Sequence, residues 1–173
     1  MQALNAAEEW VGDVKPEWSV SAVMPGWVIG RDESKVDVQG VKSGTNMLML
    51  GVCLGTRAEG RKAGGAVHVA DVARVCVCAA FEEGKGVEME RGKIRSFLAA
   101  RPIVWQDAVT VVKTEFAKEV EQGLLSEDGY QETMEIPFDA SETEKEFGFE
   151  FLPWEEMVRG VLRHYVEVSR QRK

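Results

Sequence analysis

Apolar residues recur at helical spacing in the first segment, MQALNAAEEWVGDVKPEW, where Leu4, Ala7 and Val11 fall three and four residues apart. That spacing predicts a helix closed by Gly12 and Pro16. The period then changes. From Ser19 to Met24 the chain is near-continuously apolar, which suits a strand buried on both faces, as in a parallel sheet, with Pro25 and Gly26 stopping it. Residues 31–44 read as a polar loop, GTNMLMLGVCLGT as a short helix, and residues 60–65 as a loop of Gly and basic residues. In AVHVADVARVCVCAAF, Val67 and Val69 alternate as in a strand, and Asp71 stands where it would cap a helix carrying Val72, Val75, Ala79 and Ala80. VEMER is a short strand candidate. Trp105, Ala108, Val109, Val112 and Phe116 line one side of a further helix. Ser141 with Glu144 three residues on has the form of a capping box, and Gly148 falls just past that helix's end. A last helix starts near Pro153 and places Met157, Val158, Val161, Leu162, Tyr165 and Val166 on one stripe.

Strands separated by helices predict a mixed α/β fold with partly parallel pairing, and 173 residues are enough for one domain rather than two. A formal net charge of -8 argues against a nucleic-acid partner, whose phosphates call for Lys and Arg. The one basic cluster, Arg159, Arg163, Arg170, Arg172 and Lys173, reads as cations placed on the last turns of a helix. Three cysteines make no disulfide framework and fit a reducing, cytoplasmic setting. No apolar run approaches the ~18 residues of a membrane span, and residues 1–20 carry Glu8, Glu9, Asp13 and Glu17 where a secretory leader would be apolar.

Candidate chemistry is sparse. Cys76 and Cys78, two apart on a helix, point to different sides and read as small buried residues rather than metal ligands. His68 faces away from its strand neighbours and reads as structural or solvent-facing, and His164 falls on the polar side of the last helix, at the surface. Asp71 and Asp139 read as helix caps. No Ser-His-Asp arrangement and no glycine-rich phosphate signature is present, so the residues alone name no reaction, no catalytic residue and no metal.

The order of KPEWSVSAVMPGWVIG, GTNMLMLGVCLG, GGAVHVADVARV and IPFDASETEKEFGFEFLPWEEMVRGVLRHYVE resembles the C-terminal half of an extended short-chain dehydrogenase/reductase, in particular the dihydroflavonol-reductase-like and NAD-dependent epimerase/dehydratase-like members. The resemblance runs from about Ala3 to Glu167. It implies an incomplete Rossmann-type sheet, doubly wound and mostly parallel, with a small C-terminal α/β substrate lobe. Residues 1–30 and about 66–92 would be the sheet's remnant, and about 31–65 and 93–173 the substrate lobe and closing helices. The family lays the strand ending in Pro25 and Gly26, followed by Val28 and Gly30, beside a nicotinamide ring, so it implies NAD or NADP as cofactor, with Pro25, Gly26 and Val28 on the nicotinamide side. Val67, His68, Val69, Asp71, Val72 and Ala73 match the family's strand-to-helix corner.

Two family features are missing: the glycine loop for the pyrophosphate, and the Tyr-x-x-x-Lys pair, since neither Tyr130 nor Tyr165 is followed by Lys at that spacing. Arg31 stands where many members have Pro. The resemblance thus implies part of an NAD(P)-dependent oxidoreductase of small-molecule carbonyls or alcohols, inactive as this chain alone. The alternative is a non-catalytic remnant or interaction protein. In either case a chain lacking half of its sheet is expected to expose an edge and an apolar patch and to self-associate or bind an intact relative.

Overall fold

The computed structural model describes residues 2–81 and 90–171. Most of VEMER, the Glu82-Glu83 run and the basic Arg172 and Lys173 lie outside the described residues. In chain order the elements are α1 (Gln2–Val14), β1 (Val20–Pro25), β2 (Trp27–Ile29), α2 (Val38–Val41), α3 (Asn46–Cys53), β3 (Lys62–Ala63), β4 (Gly65–His68), α4 (Val69–Ala80), β5 (Ile94–Ala99), β6 (Arg101–Pro102), α5 (Asp107–Glu115), α6 (Ala117–Glu121), β7 (Thr133–Met134), α7 (Ser141–Phe147) and α8 (Trp154–Gln171). The fold is the expected mixed α/β one, with mostly parallel pairing: β1 with β5, β2 with β4 and β3 with β7 are parallel, and β4 with β6 is antiparallel.

Two of the sheets are joined by single-residue steps. Gly26 alone separates β1 from β2, and Ala100 alone separates β5 from β6, so two paired strands both continue into the three-stranded sheet, where β4 lies between them. Gly26 N–H donates to Ala99 O at 3.0 Å. A Cβ on Gly26 would lie 2.6 Å from Gly65 O and 3.1 Å from Ala100 Cβ, so the close approach of these backbones requires glycine.

β5 and β6 carry no alternation legible in the sequence, and residues 93 onward were expected in the substrate lobe; instead Ile94–Ala99 pairs along the whole of β1. β1 is also not buried on both faces. Its residues Val20–Val23 are half-buried, Met24 and Pro25 are exposed, and among the described residues its only ladder is with β5. Pro25 does not stop the strand but is its last paired residue, a place where a missing N–H is tolerated. The expected loops at 31–44 and 60–65 contain α2 and β3, respectively.

The main core gathers α3, α5 and α8 against β2 and β4, with Met49, Leu50, Trp105, Ala108, Val112, Met157, Val161 and Leu162 all essentially inaccessible. This bears out the predicted stripes on α5 and α8. Trp105 sits edge-on to Trp27 and Trp154, with ring centroids 5.9 and 5.4 Å away, and its indole N–H donates to Ala63 O at 3.2 Å. A second core holds Val67 and Val75 from the β4–α4 corner with Phe97, Phe147 and Phe151.

Three capping expectations are resolved differently from one another. His68, not Asp71, caps α4: its Nδ1 accepts from Ala70 N–H at 3.2 Å. Asp71 lies inside the first turn and is buried, its Oδ2 accepting from Leu152 N–H at 2.8 Å. Neither Ser141 nor Asp139 caps α7: the N-cap is Ala140, without a side-chain cap, and Asp139, one residue earlier, accepts from Ser141 N–H at 3.0 Å in the turn before the helix. Glu144 reaches instead to Phe151 N–H at 2.7 Å, while Arg101 donates to Phe151 O at 2.7 Å. The stretch before α8 is therefore held by side chains from β6, α4 and α7. Gly148 closes α7 in the left-handed conformation, φ 68°, as its position implied.

Candidate functional site

Of the three residues expected on the nicotinamide side, Val28 lines a pocket at the end of β2. This pocket, about 520 Å³, is walled by Val28, Gly30, the loop residues Arg31–Glu33 and Lys35, the turn Ser43–Asn46, and Val69. Pro25 and Gly26 lie outside it. Gly26 is consumed by the sheet crossing, and Pro25 ends β1.

The pocket's floor is built by side chains that the sequence reading passed over. Asn46, buried at the first turn of α3, clamps Gly30 from both sides: its Oδ1 accepts from Gly30 N–H at 3.1 Å and its Nδ2 donates to Gly30 O at 2.7 Å. Thr45 Oγ1 donates to Val28 O. A Cβ on Gly30, whose φ is 157°, would come 2.6 Å from Val69 Cγ1 and 3.0 Å from His68 Nε2. The signal that could have found Asn46 is a lone amide opening an otherwise apolar helix.

The outer wall is a folded loop. Asp32 Oδ1 accepts from Ser34 N–H at 3.0 Å and from Ser34 Oγ at 2.6 Å, and the Ser34 hydroxyl holds the Asp32 carboxyl below its ordinary range. Asp37 caps α2 through Gly40 N–H at 2.8 Å. Arg31 meets Glu167 of α8 at 2.7 Å; that hydrogen bond raises the guanidinium and lowers the Glu167 carboxyl. His164, expected at the surface, is buried, 3% exposed, with Nε2 at 3.1 Å from Lys35 O. The residue flanks Val161 and Val168, both buried, and that spacing on the helix was the available signal.

The remaining candidates hold no reactive cluster. Cys53 is buried, which pushes its thiol up to about 12. Contrary to expectation Cys76 is exposed, and Cys78 is intermediate. Tyr165 lies in the main core and Tyr130 is exposed beside Arg57. Among the described residues no group of three His, Cys, Asp or Glu is placed to hold a metal ion, and no helix is long and apolar enough to cross a membrane. A larger cleft, about 760 Å³, opens between Arg101–Val104, Glu135–Pro137 and Pro153–Glu155. It shares no residue with the pocket beside Val28.

No family model matches the chain. Over 171 residues it is 30% identical to ketoreductase CTB6 of Cercospora beticola, covering 96% of this chain and 46% of that protein. With ketoreductase CTB6 of Cercospora nicotianae it is 29% identical over the same length. The fold superposes on Gre2 from Candida albicans with a TM-score of 0.69 at 18% identity, covering 96% of this chain and 50% of that one. It also superposes on yeast methylglyoxal/isovaleraldehyde reductase Gre2 complexed with NADPH, with a TM-score of 0.53 at 17% identity, over 86% and 46% of the two chains. The chain is thus homologous to the ketoreductases, spans about half their length, and has the Rossmann-like fold of the Gre2 reductases over a similar share. The resemblance read from its motifs is borne out at that level.

Proposed function

We propose that this chain forms the nicotinamide-side wall and the substrate lobe of an NADPH-dependent ketoreductase, an oxidoreductase of the short-chain dehydrogenase/reductase family that reduces a ketone or aldehyde on a small organic molecule. The observation that carries this reading is the continuous 171-residue match to a ketoreductase. NADPH rather than NADH is chosen because Gre2 structures of this fold hold NADPH.

The pocket beside Val28 fits the uncharged end of such a cofactor. Its volume falls within the few hundred cubic ångströms usual for small-molecule sites, large enough for a nicotinamide ring and its ribose. Its charges balance, Arg31 and Lys35 against Asp32 and Glu33, so it offers no cradle for a pyrophosphate. The bound cofactor would supply the hydride. The chain's own part is positional: Val28 presents an apolar surface to the ring, Asn46 fixes the Gly30 backbone, and the Arg31–Lys35 loop keeps water from the outer side. Neither Tyr130 nor Tyr165 is followed by Lys at the family's spacing, so turnover calls for a Tyr-Lys pair from outside these residues.

The test joins this chain to the amino-terminal half of ketoreductase CTB6 and follows ketone-dependent loss of NADPH absorbance. The joined protein is expected to oxidise NADPH, and Val28→Trp, which fills the pocket, to abolish NADPH binding while leaving the protein folded. A soluble, folded joined protein that neither binds nor oxidises NADPH overturns the reading. A second reading, a non-catalytic chain that associates through its sheet edge with another copy or an intact relative, is favoured by the pairing of β1 with β5 alone among the described residues and by the exposed Trp10, Trp18 and Phe81. Sedimentation velocity tests this reading, which requires concentration-dependent association and is overturned by a monomer at all concentrations; NADPH oxidation by the joined protein is what the first reading alone requires.

A further inference from the structure

His164 is an expensive residue to bury. It sits on α8 among Val161, Leu162, Tyr165 and Val168, and is itself 3% exposed. Its Nε2 faces a carbonyl, Lys35 O at 3.1 Å, and therefore carries the proton. Its Nδ1 is then a buried acceptor, and it has no hydrogen-bond partner. An apolar side chain of similar volume would pack in the same place without that desolvation cost, so core packing does not account for the imidazole. What the imidazole alone adds is a tether between α8 and a backbone carbonyl 129 residues away in sequence.

The tethered segment is the outer wall of the pocket beside Val28. Three residues on from His164, on the same face of α8, Glu167 binds Arg31 at 2.7 Å, so α8 grips the loop at both ends, Arg31 by its side chain and Lys35 by its main chain. Between these grips the loop is closed on itself by Asp32, which accepts from Ser34 N–H, and by Lys35 N–H, which donates to Asp32 O at 3.0 Å. A loop this compact moves as a unit, so whatever fixes its two ends fixes the wall.

We propose that His164 is a positioning residue: with Glu167 it holds the 31–35 loop in the place that shapes the pocket, so that α8 sets how tightly the nicotinamide end of the cofactor is received. This rests on the cofactor-side reading of that pocket. Hydrogen exchange of the Asp32–Lys35 amides, read beside thermal unfolding, tests the grip directly. His164→Leu is expected to unfold at or above the parent's temperature, having shed the unpaired nitrogen, while the loop amides exchange roughly tenfold faster, a local opening uncoupled from global stability. His164→Gln, which restores a donor toward Lys35 O, is expected to return most of the protection. Glu167→Gln, at an exposed position that does not endanger folding, is expected to loosen the Arg31 end by about threefold.

Loop exchange unchanged in both His164→Leu and Glu167→Gln, or changed only in step with global stability, overturns the proposal. Titration of NADPH into each variant, made in the protein joined to the amino-terminal half of ketoreductase CTB6, separates this from the reading it rests on. A loosened loop with NADPH binding weakened by about fivefold supports positioning; a loosened loop with unchanged NADPH affinity overturns it. A joined parent protein that is folded and does not bind NADPH counts against the cofactor reading, and loop exchange still decides whether His164 holds the wall.

Discussion

Replacing Asp71 by Ala removes the acceptor of the Leu152 amide and leaves that amide without a partner at the entrance to α8. The carboxylate is 2% exposed and its bond is 2.8 Å long, so the loss is that of a charge-assisted, buried hydrogen bond, about 2 kcal/mol. Arg74, 3.8 Å away with a half-exposed side chain, adds little. For a chain of this size about 2 kcal/mol lowers the unfolding temperature by roughly 4–8 °C. Asp71→Asn keeps an oxygen for the amide but not the charge, and is expected to cost about 1 kcal/mol. A helix cap would behave otherwise, because Asn caps as well as Asp and the Asn variant would then be neutral. Thermal unfolding of the two variants, with hydrogen exchange at Leu152, distinguishes these cases. A neutral Asp71→Asn, or an Asp71→Ala that leaves Leu152 protected, would refute the anchoring role.

Gly26→Ala is expected to cost about 1–3 kcal/mol, because the added methyl meets the Gly65 carbonyl at 2.6 Å and backbone does not yield as a side chain does; an unchanged unfolding temperature would show that the sheet crossing is looser than described. A thiol reagent is expected to label Cys76 rapidly in the native chain and Cys53 only on unfolding, since burial keeps the Cys53 thiol protonated; peptide mapping checks the order. Asp32, Glu115, Asp139, Glu146 and Glu167 are each held below their ordinary values by a hydrogen-bonding partner in the folded state. The unfolded chain therefore takes up protons first as pH falls. Their stabilisation is complete above the ordinary carboxylate range and is lost below about pH 4.5, through the folded values. Unfolding temperatures from pH 7 to 3 are expected to stay level and then drop, less steeply in high salt; a decline beginning near pH 6 would contradict this.

The helices that carry the main core were legible because one face of each is apolar over several turns: Trp105 to Phe116 and Met157 to Val166 are buried as their spacing implied. β5 was not, because Ile94–Ala99 takes its strand conformation from pairing with β1, seventy-odd residues earlier, rather than from its own pattern. The misread polar residues share one cause. Asp71, Glu144 and His164 each bond a backbone group outside their own helix, Leu152, Phe151 and Lys35 in turn. A helix-start or helix-face rule reads only neighbours, and so assigned a cap, a capping box and a surface position. At the site the resemblance supplied Val28, while Asn46 and the Arg31–Lys35 wall emerge only once α3 and α8 are set against β2.

The pocket beside Val28 belongs to the finished part of this fold, and that has a measurable consequence. At its Gly30 end Ile29 is fully covered, Gly30 is buried, and Asn46 and His164 are nearly covered where β2, α3 and α8 meet, whereas Val28 packs against the second core. Exposed apolar side chains lie on both sides of the step: Trp10, Trp18, Met24, Val77 and Phe81 on or beside α1, β1 and α4, and Val36, Met47 and Val69 around the mouth of the pocket. Local opening follows the density of buried contacts, so β1 should open without disturbing the pocket although only Gly26 separates it from β2. The Gly30 amide, held by Asn46, is expected to exchange near the rate of global unfolding, and the β1 amides well before it. Joint exchange of the two would mean that the single-residue step transmits opening from β1 into the site, and the pocket's shape would then depend on how β1 is held.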